Sequence, residues 1–518
     1  MGDLQICVYL LVLSLGILQT AEAANGDASV DLNDDVLGLI VFKSDLHDPP
    51  ALASWTEDDA SPCSWKYIRC NPASGRVTEL SLAGLGLSGL LGRGLGKLQS
   101  LKVLSLSHNN LSGEISPELA HMPSLETLDL SHNKFSGQLS TSISETGSSF
   151  KCLDLSENQL SGPLPDDFFQ GFLSLRYLSL AGNSFEGPIP STLSQCGALN
   201  GLNLSNNHFS GNPFASNGGL WSLNRLRVLD LSRNFLSGDI PNGIFNLHNL
   251  KELHLQGNQF SGFVPFDMGL CPHLMKVDLS YNLFKGEIPS SLGRLNSLNF
   301  LSLGNNMLSG DFPQWVGGLT NLEYLDVSRN GLTGVLPISI GNLRSLKVLS
   351  LSENKMSGNL PTSLVSCTEL RTLHLRDNIY NGSIPEGLFS MGFEEVDLSG
   401  NALSGPIPPG SSRIFESLLV LDLSRNDLTG DIPPEMGLFS RLKFLNLSWN
   451  NLHSRIPPEI GYLQNLTVLD MRESALYGMI PADLCEPSSS LAILQLDGNS
   501  LSGPIPDEIG NCSSLYLL

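Results

Sequence analysis

Between residues 322 and 345 the chain reads LEYLDVSRNGLTGVLPISIGNLRS, and text of this form recurs along most of its 518 residues. With Asn330 as position zero, apolar residues stand at −8, −5, −3 and +2 (Leu322, Leu325, Val327, Leu332). Gly334 and Pro337 follow at +4 and +7, and the next unit opens at Leu346. Equivalent zero positions run from Leu85 to Asn499 in steps of 23 to 27 residues, and sixteen of the eighteen are Asn. A period this short holds one supersecondary unit, which cannot bury its own apolar side, so the units must stack into a solenoid. The rule that 518 residues should divide into several ordinary domains therefore does not apply, because such an array grows by stacking.

Each recurring residue has a physical task. After each short strand the chain turns inward and leaves backbone groups facing the core, where an Asn side chain can both donate and accept. Leu85 and Ser474 break that ladder, so local irregularity is expected at both. Gly at +4 permits a tight or positive-φ turn, and Pro at +7 fixes the chain for the next segment. Alternate strand residues point outward, so positions −6, −4, −2 and −1 form the concave face. With strands about 4.8 Å apart, eighteen turns give an inner arc of roughly 80 Å.

Gly and Pro together number 81, yet they are periodic, which argues against disorder. A net charge of −22 speaks against nucleic acid, since a phosphate binder needs a basic stripe. The acidity serves solubility, or it makes a groove that steers a basic partner. At the amino terminus, residues 1–23 read as an export signal: the apolar run Leu4–Leu18 is followed by the small-x-small site Ala21-Glu22-Ala23. Residues 24–75 then form an N-terminal cap. Asn33 or Asp34 caps a helix with Val36, Leu37, Ile40 and Val41 on one face, stopped by Pro49-Pro50. Trp55 and Trp65 supply apolar bulk beside Cys63 and Cys70, which in an exported protein are most simply a disulfide. Residues 76–518 are repeats, about eighteen turns with a nineteenth begun.

No motif points to catalysis, a cofactor or a metal. Gly84–Gly89 fits G-x-G-x-x-G, but its glycines fall in the repeat register and no βαβ unit surrounds them. Kinase signatures, G-x-S-x-G with partners and H-E-x-x-H are absent, and the ten His are scattered. Cys196, Cys271, Cys367 and Cys512 lie eleven before a zero position, where Leu stands elsewhere, and read as small core residues outside any disulfide. Cys152, at −6, reads as a free and partly exposed thiol.

On the concave face the −4 position is Asp in eight turns, from Asp129 to Asp470, as the common L-D-L-S text. Departures from that text are better candidates for ligand contact: Tyr281, Arg329, His374, Arg376, Arg425 and Trp449, of types enriched at binding hot spots. His374 and Arg376 share a strand face and could meet a ligand carboxylate. Glycosylation sequons stand at Asn110, Asn203, Asn381, Asn446, Asn465 and Asn511. Asn203 and Asn446 are −4 positions, so glycans there would push a ligand toward turns such as Asn258–Asn426. The chain stops at Leu515–Leu518 without a closing cysteine pair, polar cap or membrane helix, as expected of part of a longer design.

From Asn33 onward the chain resembles the ectodomains of plant leucine-rich-repeat receptor-like kinases. The resemblance rests on the cap (LNDDVLGLIVFKSDL, SWTEDD, CSWKYIRC) and the L-x-G-x-[IL]-P repeats, and is nearest the branch whose kinase domain is described as probably inactive. It implies a plant-type leucine-rich-repeat solenoid, a right-handed curved β-solenoid with short helical or 3-10 segments, a second shorter sheet and a helical, disulfide-bonded N-cap. It also implies a plasma-membrane receptor whose groove takes a peptide or protein ligand and recruits a co-receptor, joined to the membrane only through a C-terminal span absent from this sequence. A secreted inhibitor of a wall-degrading enzyme is the alternative; such proteins resemble shorter arrays capped at both ends.

Overall fold

The computed structural model describes residues 33–140, 149–214, 219–410, 417–486 and 488–518; the expected export signal lies outside them. The cap begins with helix α1 (Asp34–Ser44), where Asn33 accepts the Asp35 N–H as N-cap. Its buried side is Asp35, Val36, Gly38, Leu39 and Phe42, so the expected face through Leu37, Ile40 and Val41 is corrected by a rotation of the helix. Two contacts cause the rotation. A Cβ on Gly38 would lie 2.7 Å from the Gly94 carbonyl, so the helix needs glycine there to sit this close to the first repeat. Asp35, fully buried, receives the Arg76 guanidinium at 2.7 and 2.9 Å and the Val77 N–H at 2.9 Å. Trp55 and Trp65 stack at 5.3 Å, and the Cys63–Cys70 disulfide is formed.

The chain divides into two compact units, one that includes the cap and runs through Phe260 and one from Ser261. In the first, Ile68–Cys70 pairs antiparallel with Val77–Ser81, after which every neighbour is parallel, through Glu252–His254. In the second, parallel pairing runs in register from Lys276–Asp278 to Ile493–Gln495. After Val77–Ser81, each of these strands covers positions −6 to −4 of its turn. Tyr324–Asp326 is the pattern, with Leu325 buried between two half-buried neighbours.

The Asn ladder has one repeated geometry. Asn330 Nδ2 donates to the carbonyls of Leu303, Val327 and Ser328 at 3.0–3.1 Å, and its Oδ1 accepts the Leu308 N–H at 2.9 Å. One side chain thus ties two turns and satisfies four inward backbone groups. After Asn330, Gly334 takes φ +82, and Pro337 at φ −72 caps the 3-10 segment Ile338–Asn342 that returns the chain. A second set of short parallel strands follows the zero positions, as the resemblance implied, but it is interrupted. It breaks between Asp427–Leu428 and Tyr477–Gly478, where LHSRIP replaces L-x-G-x-I-P and Ser454 stands at the glycine position. There the positive φ moves to His453, at +50.

Two readings of the cysteines are corrected. Cys512 is not an unpaired core residue: it is bonded to Cys485 across the last two turns, with Cα atoms 5.1 Å apart, so the array does carry a cysteine pair near its end. Cys152 is buried, not partly exposed, and is not a free thiol; its small side chain sits in register between Thr127 and Tyr177. The free cysteines among the described residues are Cys196, Cys271 and Cys367, all buried as expected.

Candidate ligand-binding face

The strand face is built by the repeat, and most of its polar groups serve the repeat. In Asp278, Asp326, Asp397 and Asp422, Oδ1 accepts the N–H of the Ser two residues on at 2.9–3.1 Å. Asn446 makes the same bond with Ser448. The acidic stripe is therefore first a strand-end clasp. Burial raises the pKa of Asp422 above the ordinary carboxylate value, which the bonds from Ser424 oppose. Asp470 is further occupied by Arg472, whose guanidinium donates to both its oxygens at 2.7 and 3.0 Å.

Position −1 follows a different rule. It closes the strand in the left-handed region, with Tyr281, Arg329 and Arg425 at φ +53 and Trp449 at φ +56. Elsewhere the same position holds Gly257, Gly400 and Asn305, residues that tolerate this conformation. Four of the six predicted residues thus occupy one row along the rim of the strand face, all in the second unit. Tyr281 is 61% exposed and Trp449 52% exposed. Arg329 donates to Glu353 of the next turn at 3.1 Å, whereas Arg425 makes no ion pair with a described residue.

His374 and Arg376 do lie on one strand face, but neither is idle. His374 Nε2 is 3.3 Å from Glu395 Oε2 on the adjacent strand, and Arg376 donates to Asp377 at 2.9 Å. That bond is the main cause of the raised Arg376 pKa. A ligand carboxylate at this pair has to compete with two native acids.

The structure also places residues that the sequence reading passed over. In the first unit His108 and His132 occupy −1 and stack at 4.2 Å, beside a hollow of about 490 Å³ lined largely by Ser, Ala and Asp. In the second unit Phe300 and Tyr324, adjacent at −6, stack at 4.4 Å. Burial, then Asp326, Asp278 and Tyr281, push the Tyr324 phenol up to about 12. The signal was present in each case as an aromatic or imidazole ring at one repeat position in consecutive turns. Of the sequons, Asn110, Asn381, Asn465 and Asn511 are exposed, while Asn203 and Asn446 are half-buried within the strand face.

These features define a leucine-rich-repeat solenoid whose strand face and rim display side chains that the scaffold does not need. The chain belongs to the leucine-rich-repeat family and is similar to plant receptor ectodomains. The leucine rich repeat N-terminal domain profile matches residues 32–71, and leucine rich repeat profiles match 148–209, 272–332 and 320–379. A "probably inactive leucine-rich repeat receptor-like protein kinase" of Arabidopsis thaliana is 59% identical over 107 residues, which is 20% of this chain and 10% of that protein. The crystal structure of a TDR receptor superimposes with a TM-score of 0.76 at 32% identity, covering 85% of this chain and 79% of that one. The Arabidopsis thaliana receptor kinase HAESA, in complex with the peptide hormone IDA and the co-receptor SERK1, gives 0.67 at 29% identity, covering 94% and 93%. No helix among the described residues is long and apolar enough to cross a membrane.

Proposed function

We propose that this chain is the extracellular recognition portion of a leucine-rich-repeat receptor-like kinase of the inactive-kinase branch, and that it binds a peptide or protein ligand on the strand face. A co-receptor is the second partner, as in the HAESA complex. One observation carries the reading. Exposed aromatic side chains, Tyr281 and Trp449, are held at φ +53 and +56, at a position where other turns place Gly, Asn or a charged or imidazole side chain. A side chain beyond glycine costs about 1 kcal/mol or more in that conformation, and an exposed ring returns little of it to folding. Strain of this kind without a packing benefit points to function.

The reading is tested by panning a phage library of random linear peptides against the chain. Recovered binders should lose about tenfold in affinity with Tyr281→Gly or Trp449→Gly, while the urea midpoint of either variant is no lower than that of the parent chain. Failure to recover binders, or binders indifferent to both variants, would overturn it.

A further inference from the structure

The turn centred on Asn306 departs from its neighbours on the face. In the −4 row Ser302 stands between Asp278 and Asp326, and in the −2 row Gly304 stands between Ser280 and Ser328. Gly304 is not at positive φ, so the backbone does not demand glycine. A Cβ there would lie 3.0 Å from Asp326 Oδ2; its absence opens a notch over which that carboxylate leans. Ser302 is only 4% exposed, and its hydroxyl has no hydrogen-bond partner among the described residues. Its register places it on the floor of the notch.

The walls are equally specific. Asp278 and Asp326 spend Oδ1 on Ser280 and Ser328, and neither Oδ2 has a partner among the described residues. They flank the notch two strands apart, about 10 Å between backbones. The stacked Phe300 and Tyr324 rings form one side of the face here, and Tyr281 projects at the rim. Two free carboxylate oxygens, the unpaired hydroxyl of a nearly buried serine and aromatic faces are complementary to a planar or compact cation with several donors.

We propose that this notch is a subsite for the cationic side chain, arginine or lysine, of a peptide ligand; the proposal rests on the peptide-receptor reading above. The guanidinium or ammonium donates to Asp278, Asp326 and the Ser302 oxygen, and its methylene stem lies along Tyr324. Basic residues in a ligand also suit the −22 charge of the chain.

The variants are Asp278→Asn, Asp326→Asn and Gly304→Ser. Asn keeps the strand clasp, since Asn203 and Asn446 already make that bond at −4 with Ser205 and Ser448. Gly304→Ser restores the common residue and fills the notch. The probe is the same random-peptide phage library. The expected result is that recovered peptides contain Arg or Lys, and that either Asp variant or Gly304→Ser weakens them by about tenfold or more with unchanged melting. Replacing the basic residue by citrulline or norleucine should produce the same loss. Peptides that need Tyr281 and Trp449 but carry no basic residue, or ignore these three variants, would refute the subsite and leave the receptor reading standing. Recovery of no peptide refutes both.

Discussion

Asn499 Oδ1 accepts two backbone N–H groups, from Ser474 at 3.0 Å and from Leu476 at 2.9 Å. A regular turn asks its Asn for one such bond; here the ladder residue before it is Ser, and the next Asn takes the extra donor. Asn109 does the same for Leu85 and Leu87 beside the other ladder break. The remaining deficit is local. Leu452, which would donate to an Asn at 474, instead donates to the Ser474 carbonyl at 3.2 Å, and His453 and Ala475 take positive φ. Irregularity at a missing Asn is therefore the cost of inward backbone groups seeking new partners.

The corresponding prediction concerns a regular turn. Asn330→Ala leaves the Leu308 N–H and three carbonyls without that partner in a part-buried site. A loss of about 3 kcal/mol is expected, read from urea unfolding. Asn321→Ala, which removes one exposed bond to Asn296, should cost well under half of that.

In the cap, Arg76→Ala strips Asp35 of its charge partner while the carboxylate stays fully buried. Removing one member of such a pair typically costs about 3–5 kcal/mol. Amide exchange should rise over Asp34–Ser44 in the variant; protection equal to the parent chain would show that the pair does not hold the cap.

Much of this was legible in advance and some could not be. The period identified the strands, the ladder and the three buried free thiols, because each follows from one residue's place in a 24-residue unit. The Cys485–Cys512 bond did not follow, because Cys485 lies fourteen before Asn499 and thus off the −11 register, and only stacking brings it beside Cys512. The helix face was misread for a similar reason. Apolar periodicity alone cannot anticipate that a buried Asp35 will turn toward an arginine 41 residues away. On the strand face, position marked Tyr281 and Trp449 as departures, but the left-handed backbone that makes them costly is a property of the turn. The Glu395 partner of His374 required cross-strand register, whereas Asp377, the partner of Arg376, is its neighbour in sequence and was overlooked.

The Cys485–Cys512 bond closes a separation of 27 residues. Restricting a loop of that size contributes about 3 kcal/mol on the chain-entropy account. Cys485→Ser with Cys512→Ser should leave the first unit's exchange protection intact and raise exchange selectively in 488–518. Uniform loss of protection along the chain would refute a local role.

Alkaline pH should weaken the array through its free thiols. Burial pushes Cys196 and Cys271 from 9.0 up to about 12, and Cys367 to about 11. Below pH 9 each thiol is protonated in both states and its contribution is complete. Above 9 the unfolded chain releases protons that the folded chain retains, so stability falls by roughly 1.4 kcal/mol per thiol per pH unit. Between pH 9 and 10, where free thiols ionise ahead of most phenols, Cys196→Ala, Cys271→Ala and Cys367→Ala combined should flatten the slope of urea midpoint against pH.

The basic pair at His374 and Arg376 gives a test with two directions. A ligand carboxylate there displaces Glu395 from His374 and Asp377 from Arg376, now at 3.3 and 2.9 Å. His374→Ala with Arg376→Ala should then weaken a carboxylate-bearing peptide by about tenfold. Glu395→Gln with Asp377→Asn should strengthen it, because the competing charges are gone while the shapes remain. The measurement compares one library-selected peptide as its free carboxylate and as its terminal amide. If the patch reads the carboxylate, both variant pairs shift only the free acid, in opposite senses. Equal shifts for acid and amide, or none, would mean that these residues only balance charge between neighbouring turns and that the ligand is read along the Tyr281–Trp449 rim.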